Sequence, residues 1–426
     1  MKRILASCLL LLLLLSACGE RVPVYEQPET SVPSDSTLPK ETEPPVQTPE
    51  LSQPDAPHTV PKDDTMLRLE NKIFATCDGV YYADAQLLRY NEEKDRMEIC
   101  CTQENCPHTD ESCSAWSGDT NGLRFAVRED KAFVLWGERD TYGQYLTLEF
   151  YSMDLAEGQR RSYYSIAAEA GQMILPGDML ICGNTALLSY AVGREDAKGS
   201  KTKTQYILAF DLEEGTVTTV LTHEMDFGST YDLWGMNESH LILAFHHGGG
   251  IQSYGDYVAD GVPNYDYDEY ARDMGRWVLL EYPIEENAKW SVQVAAHEAG
   301  TELKLFSYQS FYEGKLYYLA NSYLKVYDLS THKNEVLFYL PGVAHLFCAD
   351  GKVFYRTDAK EFFYYDLTTE QAYQYQKDSL REQFSIVYET DDSFIGRGIN
   401  GISWQKITKE NFYRENYRAI IAYPYA

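Results

Sequence analysis

From about Met66 onward the chain is a succession of short runs of Tyr, Phe, Val, Ile and Leu broken by turn residues, the pattern of β-strands joined by tight connections. Helical periodicity is nearly absent; the polar stretch near Asp266 to Arg276 is the one place where a turn or two of helix is expected. The runs repeat. Half of the repeat is a turn followed by a strand: Asp78-Gly79-Val80-Tyr81-Tyr82, Glu313-Gly314-Lys315-Leu316-Tyr317-Tyr318 and Asp350-Gly351-Lys352-Val353-Phe354-Tyr355. The other half is a strand followed by a turn: Tyr151-Ser152-Met153-Asp154-Leu155, Ala209-Phe210-Asp211-Leu212, Val326-Tyr327-Asp328-Leu329 and Tyr364-Tyr365-Asp366-Leu367. Looser copies stand at Leu88-Arg89-Tyr90-Asn91, Glu281-Tyr282-Pro283-Ile284 and Trp404-Gln405-Lys406-Ile407.

A β-meander explains both halves. Glycine after an acidic residue gives a two-residue hairpin its positive φ, and aspartate before leucine accepts backbone hydrogen bonds as the strand turns over. The anchors Asn91, Asp154, Asp211, Pro283, Asp328, Asp366 and Lys406 lie 63, 57, 72, 45, 38 and 40 residues apart. The last three spacings match one four-stranded propeller blade of ~40 to 50 residues, and the first three a blade with an insertion. The expected fold is therefore all-β, a β-propeller over residues 65–426, of seven blades with six or eight as the alternatives. Closure is expected in a shared blade, with Met66 to Thr76 meeting the C-terminal strand Tyr417 to Tyr423, so that no sheet edge stays open.

Upstream the pattern is different. Lys2 and Arg3 precede an apolar run that includes Leu9 to Leu15, and Leu15-Ser16-Ala17-Cys18 follows. A basic start, a short apolar core and small residues at a cut site describe a secretory signal peptide, residues 1–17. The run is too short for a bilayer-spanning helix, which needs ~20 residues. The tetrapeptide resembles a bacterial lipobox, which makes Cys18 the expected lipid-bearing N-terminus (a diacylglycerol thioether and a palmitate-type acyl chain) on the extracytoplasmic face of the cell membrane. Residues 18–64 carry ten of the sixteen prolines among Ser, Thr, Gln and Glu. Proline removes donors and locks φ, so a disordered, extended stalk is expected, reaching on the order of 140 Å at ~3.1 Å per residue.

Charge and cysteine number narrow the function classes. Signal cleavage removes Lys2 and Arg3 and takes the formal net charge from −28 to −30. Such a chain has no basic stripe for phosphates, which excludes nucleic acid as a partner. Of nine cysteines, Cys8 leaves with the signal and Cys18 takes lipid, which leaves an odd seven.

The densest chemistry is Cys100-Cys101-Thr102-Gln103-Glu104-Asn105-Cys106-Pro107-His108-Thr109-Asp110-Glu111-Ser112-Cys113. In an oxidising compartment, disulfides among Cys100, Cys101, Cys106 and Cys113 are the expected state. Adjacent cysteines at a strand end leave on opposite faces, so each would pair with Cys106 or Cys113. The alternatives are a zinc site of Cys101, Cys106, His108 and Cys113, or free thiols. Cys77, Cys182 and Cys348 read as buried free thiols.

Other motifs dissolve on inspection. His246-His247-Gly248-Gly249-Gly250 resembles an esterase oxyanion loop, yet no Gly-x-Ser-x-Gly elbow exists. Gly396-Arg397-Gly398-Ile399-Asn400-Gly401 spells a dinucleotide fingerprint but is followed by the strand-like Ile402-Ser403-Trp404, so a hairpin is expected. Between Gly248 and Arg276, Asn264, Tyr265, Asp266, Tyr267 and Asp268 mix tyrosine with oxygen ligands and are the candidate ligand or calcium loop. Glu269 and Gly275 occupy the places where an EF-hand needs glycine and glutamate, which excludes that motif.

With its lipobox, Pro-rich tether, Asp-Gly-x-hydrophobic-Tyr and Tyr-Asp-Leu repeats, and Cys106-Pro107-His108 through Cys113, the chain resembles β-propeller lipoproteins of gut, clostridial-type Gram-positive bacteria that carry a Cys-x-His-x4-Cys cluster. The resemblance spans essentially the whole chain and implies fold and location only. No catalytic residues stand out and no cofactor is expected, calcium and zinc being the alternatives. The expected function is a binding or scaffolding module for an extracellular peptide, glycan or envelope protein. The other reading is a hydrolase or lyase acting on a polymer in the propeller channel, because fold alone does not decide between the two.

Overall fold

The computed structural model describes most residues between 66 and 423; the longer stretches outside the description are 117–123, 196–200, 248–275, 298–308, 376–383 and 399–403. Seven antiparallel sheets follow one another along the chain, at 73–99, 124–167, 172–226, 230–297, 309–339, 343–374 and 384–423. Each is built from four consecutive strands, the third sheet with one further strand, and first strands touch between sheets 1 and 2, 3 and 4, 4 and 5, 5 and 6, 6 and 7, and 7 and 1. This is the seven-bladed β-propeller, with the first strand of each blade innermost. All seven sequence anchors, from Asn91 to Lys406, fall in the third strand of their blade.

The repeated residues do the same job in each blade. Asp154, Asp211, Asp328 and Asp366 each accept backbone N–H bonds through Oδ1 from residues two and three positions on. The following residue then ties the two turns of the blade together: Leu155 N–H donates to Asp130 O, Leu212 to Asn184 O, Leu329 to Gly314 O and Leu367 to Gly351 O. In the hairpins, Glu313-Gly314 has φ of 48° and 71° and Asp350-Gly351 has 50° and 65°, the paired positive values of a type I′ turn.

Paired aromatics follow from the pleat. Successive residues point to opposite faces, and in a propeller both faces are covered. Tyr317 packs into the core between blades 5 and 6 while Tyr318 packs into that between blades 4 and 5. Tyr364 and Tyr365 likewise serve the cores on the two sides of blade 6. The hydrophobic core is thus a ring of interfaces rather than one centre.

Two corrections concern the ends. The N-terminal strand (Met66–Arg68) does not join blade 7; it pairs with the innermost strand of blade 3 (Gln172–Cys182) and makes that sheet five-stranded. Leu67 and Leu69 are buried, and Arg68 meets Asp178 at 3.1 Å, which also holds Arg124 of blade 2 at 3.1 Å. The C-terminal strand is only Ile421–Tyr423, preceded by a 3-10 turn at Tyr417–Ala419. A short helix, Lys409–Tyr413, capped by Thr408 Oγ1, interrupts the last blade where only strand was expected. The polar stretch at Asp266 lies outside the described residues.

That helix matters because it delivers Phe412 and Lys409 to the seam between blades 6 and 7. Phe412 sits 4.9 Å from the Phe394 ring and 5.9 Å from that of Phe354. Beside it, Lys409 Nζ is 3.1 Å from Asp350 Oδ1 and 3.2 Å from Glu389 Oε2, and Lys352 Nζ is 3.2 Å from Asp350 Oδ2. Tyr413 donates to Asp350 at 2.5 Å, and Asp350 N–H donates to Glu389. Asp350 is 0% and both lysines 1% exposed, so every charge must find its partner here. Asp350→Ala would leave two buried ammonium groups short of their common acceptor. We expect it to cost about 3–5 kcal/mol in urea denaturation; an unchanged midpoint would show that the network does not hold the seam.

Candidate functional site

Strands that alternate in direction sort their connections between two faces. The connections after the first and third strands of each blade all emerge on one face, and there they are mostly tight turns. Those after the second and fourth strands emerge on the other, which bears the two longest, 100–123 and 248–275, together with 298–308 and 375–383. We call this the insertion face. Met66, the first described residue, lies opposite Cys182 at the tight-turn end of its neighbouring strand. The chain therefore comes into the propeller on the face opposite the insertions.

On the insertion face, a cavity of about 680 Å³ opens between blades 2 and 3. Its lining includes Asp140, Glu169, Glu195, Gln144, Leu146 and Met173. Asp140 shapes the adjoining loop by accepting the N–H groups of Tyr142 and Gln144. Tyr142 is 87% exposed at its tip. The calcium or ligand candidates Asn264, Tyr265, Asp266, Tyr267 and Asp268 lie outside the described residues.

The blade 1–2 connection carries the cysteines. The ligand atoms of Cys101, Cys106, His108 and Cys113 lie within 4.8 Å of one another, with His108 Nδ1 3.3 Å from Cys113 Sγ. Turns make this possible: Asn105 and His108 adopt φ of 60° and 57°, Cys106 N–H donates to Gln103 O, and Cys113 N–H donates to Asp110 O. The loop is docked on blade 1, where Leu87 N–H donates to Ala115 O and Leu87 O accepts from Cys100 N–H. Gln86 holds the His108 carbonyl, and Arg160 of blade 2 holds that of Trp116.

Among the described residues the structure contains no disulfide. Cys100, Cys101, Cys106, Cys113, Cys182 and Cys348 are thiols rather than half-cystines. Cys100 and Cys101 do part, as strand alternation requires, but Cys100 turns to the hydrophobic core of blades 1 to 3, and no other described cysteine belongs to that cluster. Burial pushes its thiol up to about 12. Three thiols, not four, then remain in the loop. Burial and the Cys101 and Cys106 thiols push Cys113 up to about 11, since neighbouring sulfurs resist ionising together. Cys182 and Cys348 are buried thiols as expected, and Cys77 lies outside the described residues.

The motifs set aside remain so. His246 and His247 end a strand, His240–His247, and Gly396 and Gly398 lie in another, Ser393–Gly398. Gly396 is glycine for packing: a Cβ there would come within 2.6 Å of the Phe384 ring.

A second cluster had no signature in the sequence. Glu281, fully buried in blade 4, accepts from Tyr327 at 2.5 Å and Ser291 at 2.9 Å. His332 Nδ1 of blade 5 is 2.9 Å from its Oε2, and His240 Nε2 is 3.9 Å from Oε1. These residues sit by the tight turns and join two blades. Burial alone would raise the Glu281 carboxyl; the bonds from Tyr327, His332 and Ser291 outweigh it and hold the group below its ordinary 4.5. A depressed value means the stabilisation is complete above the unfolded-state pKa of about 4.3 and drains away as pH falls through the folded-state value. Glu281→Gln should thus cost about 1–3 kcal/mol at neutral pH, with the deficit shrinking in acid. Equal deficits in urea melts at pH 7 and pH 3 would contradict this.

No family model and no curated protein matches the sequence. Among solved structures, the chain is similar to BamB from Moraxella catarrhalis at 10% identity and a TM-score of 0.39, covering 82% of this chain and 89% of that one. It is also similar to Kluyveromyces lactis Hsv2 at 9% identity and 0.38, covering 80% and 93%. For the Pyrococcus horikoshii acylaminoacyl peptidase the values are 10% and 0.40, over 84% of this chain and 55% of that one.

Proposed function

We propose that this protein is a lipid-anchored, extracytoplasmic propeller that binds or scaffolds an extracellular peptide, glycan or envelope protein through its insertion face. The observation that carries the reading is the opposition of the two faces: the long connections emerge on one, and the chain comes in on the other. A stalk running from Cys18 to the opposite face would turn the insertions away from the membrane. A rigid ring bearing variable loops is a common way to build a recognition surface. The cavity beside Tyr142 combines three carboxylates with Leu146 and Met173, which suits a polar or basic ligand with an apolar portion.

Peptide and glycan arrays, probed with the detergent-solubilised protein, test this. A ligand should bind with wild-type protein and weaken at least tenfold, about 1.4 kcal/mol, when Tyr142→Ala and Glu169→Lys are combined. Glu214→Lys, on the tight-turn face, should leave its affinity unchanged. In the same study Cys18→Ser should abolish palmitate labelling and release the protein from membranes. Equal losses from both faces would reject the recognition surface, retained labelling would reject the anchor, and turnover of a bound polymer would favour the hydrolase or lyase reading instead.

A further inference from the structure

We propose that Cys101, Cys106, His108 and Cys113 form a structural zinc site that folds the blade 1–2 connection onto the propeller. The inference is independent of any ligand for the insertion face. Hydrophobic packing does not account for the convergence: Cys101, Cys106 and His108 are only partly buried, although Cys113 is 1% exposed. The backbone is bent to achieve it, with two non-glycine residues at positive φ flanking Cys106 and Pro107. Such conformations are held by the structure around them.

The donor set then selects the occupant. Three sulfurs are an odd number, so one disulfide would strand a thiol and leave the imidazole without purpose. Three thiolates and an imidazole make a Cys3His tetrahedron, a donor set that zinc takes in closed sites. With Zn–S bonds of ~2.3 Å the tetrahedron's edges are about 3.8 Å, inside the 4.8 Å that already separates these atoms. On binding, the three thiols release their protons to solvent and the thiolates coordinate the cation, while neutral His108 donates its Nδ1 lone pair. Four protein ligands leave no position for a reacting water, so the site is structural. Cys100, turned into the core, is outside it.

The backbone on either side of the cluster is also held. Gln86 fixes the His108 carbonyl and bridges in the sheet direction to Trp116, while Leu87 pairs with both Cys100 and Ala115. Zinc would thus fasten the loop at its middle, and blade 1 fastens it at both ends.

The test uses detergent-solubilised full-length protein purified without chelators from zinc-supplemented cells. Elemental analysis should find one zinc per chain. Cys106→Ser combined with His108→Ala should lose it, Cys100→Ser should retain it, and His108→Cys, which keeps four soft ligands, should also retain it. Without reduction, Cys101, Cys106 and Cys113 should alkylate only after a strong chelator is added. Zinc far below one per chain after loading, or a disulfide joining two of these three cysteines in the metal-free protein, would overturn the proposal. Retention of zinc by the double variant would overturn it equally.

Discussion

Everything in this molecule depends on covering both faces of every blade. A four-stranded sheet with apolar side chains on both sides cannot stand in water, so each blade needs a neighbour on each flank, and seven of them satisfy one another only as a ring. Five hydrophobic clusters span the successive interfaces from blade 1 to blade 7. The ring closes without a shared strand: the first strand of blade 1 lies against the first strand of blade 7. Next to that closure the seam between blades 6 and 7 is unusual, because it buries three carboxylates and two lysines with the Phe412 cluster. Buried ions are poor stabilisers relative to well-packed hydrocarbon, but they tolerate little misalignment, which suits a position where the last blade must register on the ring.

The same geometry sorts chemistry by face. The tight-turn face is held by aspartate caps and by turn-to-turn hydrogen bonds, and it carries the Glu281 cluster that joins blades 4 and 5. The insertion face carries the long connections, the cavity beside Tyr142 and the cysteine–histidine cluster. The N-terminal strand reinforces the division by running up the channel side of blade 3 from the tight-turn end, pinned through Arg68 and Asp178.

What could be read from the residues alone was what is local. Asp211 before Leu212 and Asp350 before Gly351 are turn chemistry, encoded in neighbours; with the looser copies at Asn91, Pro283 and Lys406 they located all seven blades. The parting of Cys100 and Cys101 followed from strand alternation. Which sulfur then met which was not local: it required knowing that Cys100 faces a core and that Gln86 and Leu87 draw the loop back on blade 1. Glu281, His240 and His332 are spread over two blades and meet only through ring packing, so no spacing announces them. The docking of Met66–Arg68 on blade 3 is likewise a long-range pairing, favoured by an exposed inner edge that any short apolar strand could have filled. The helix at Lys409–Tyr413 is too short to show a helical period in the sequence; its one local cue is the Thr408 cap.

The central claim is that the insertion face is the recognition surface, held away from the membrane. Site-specific photocrosslinking in native membranes tests it most directly, with a benzophenone side chain placed at Tyr142 on the insertion face or at Glu214 in the tight turn after Asp211. The account predicts a discrete, saturable adduct with an envelope component from position 142 and none of that mass from position 214. A specific adduct from position 214 alone would contradict it.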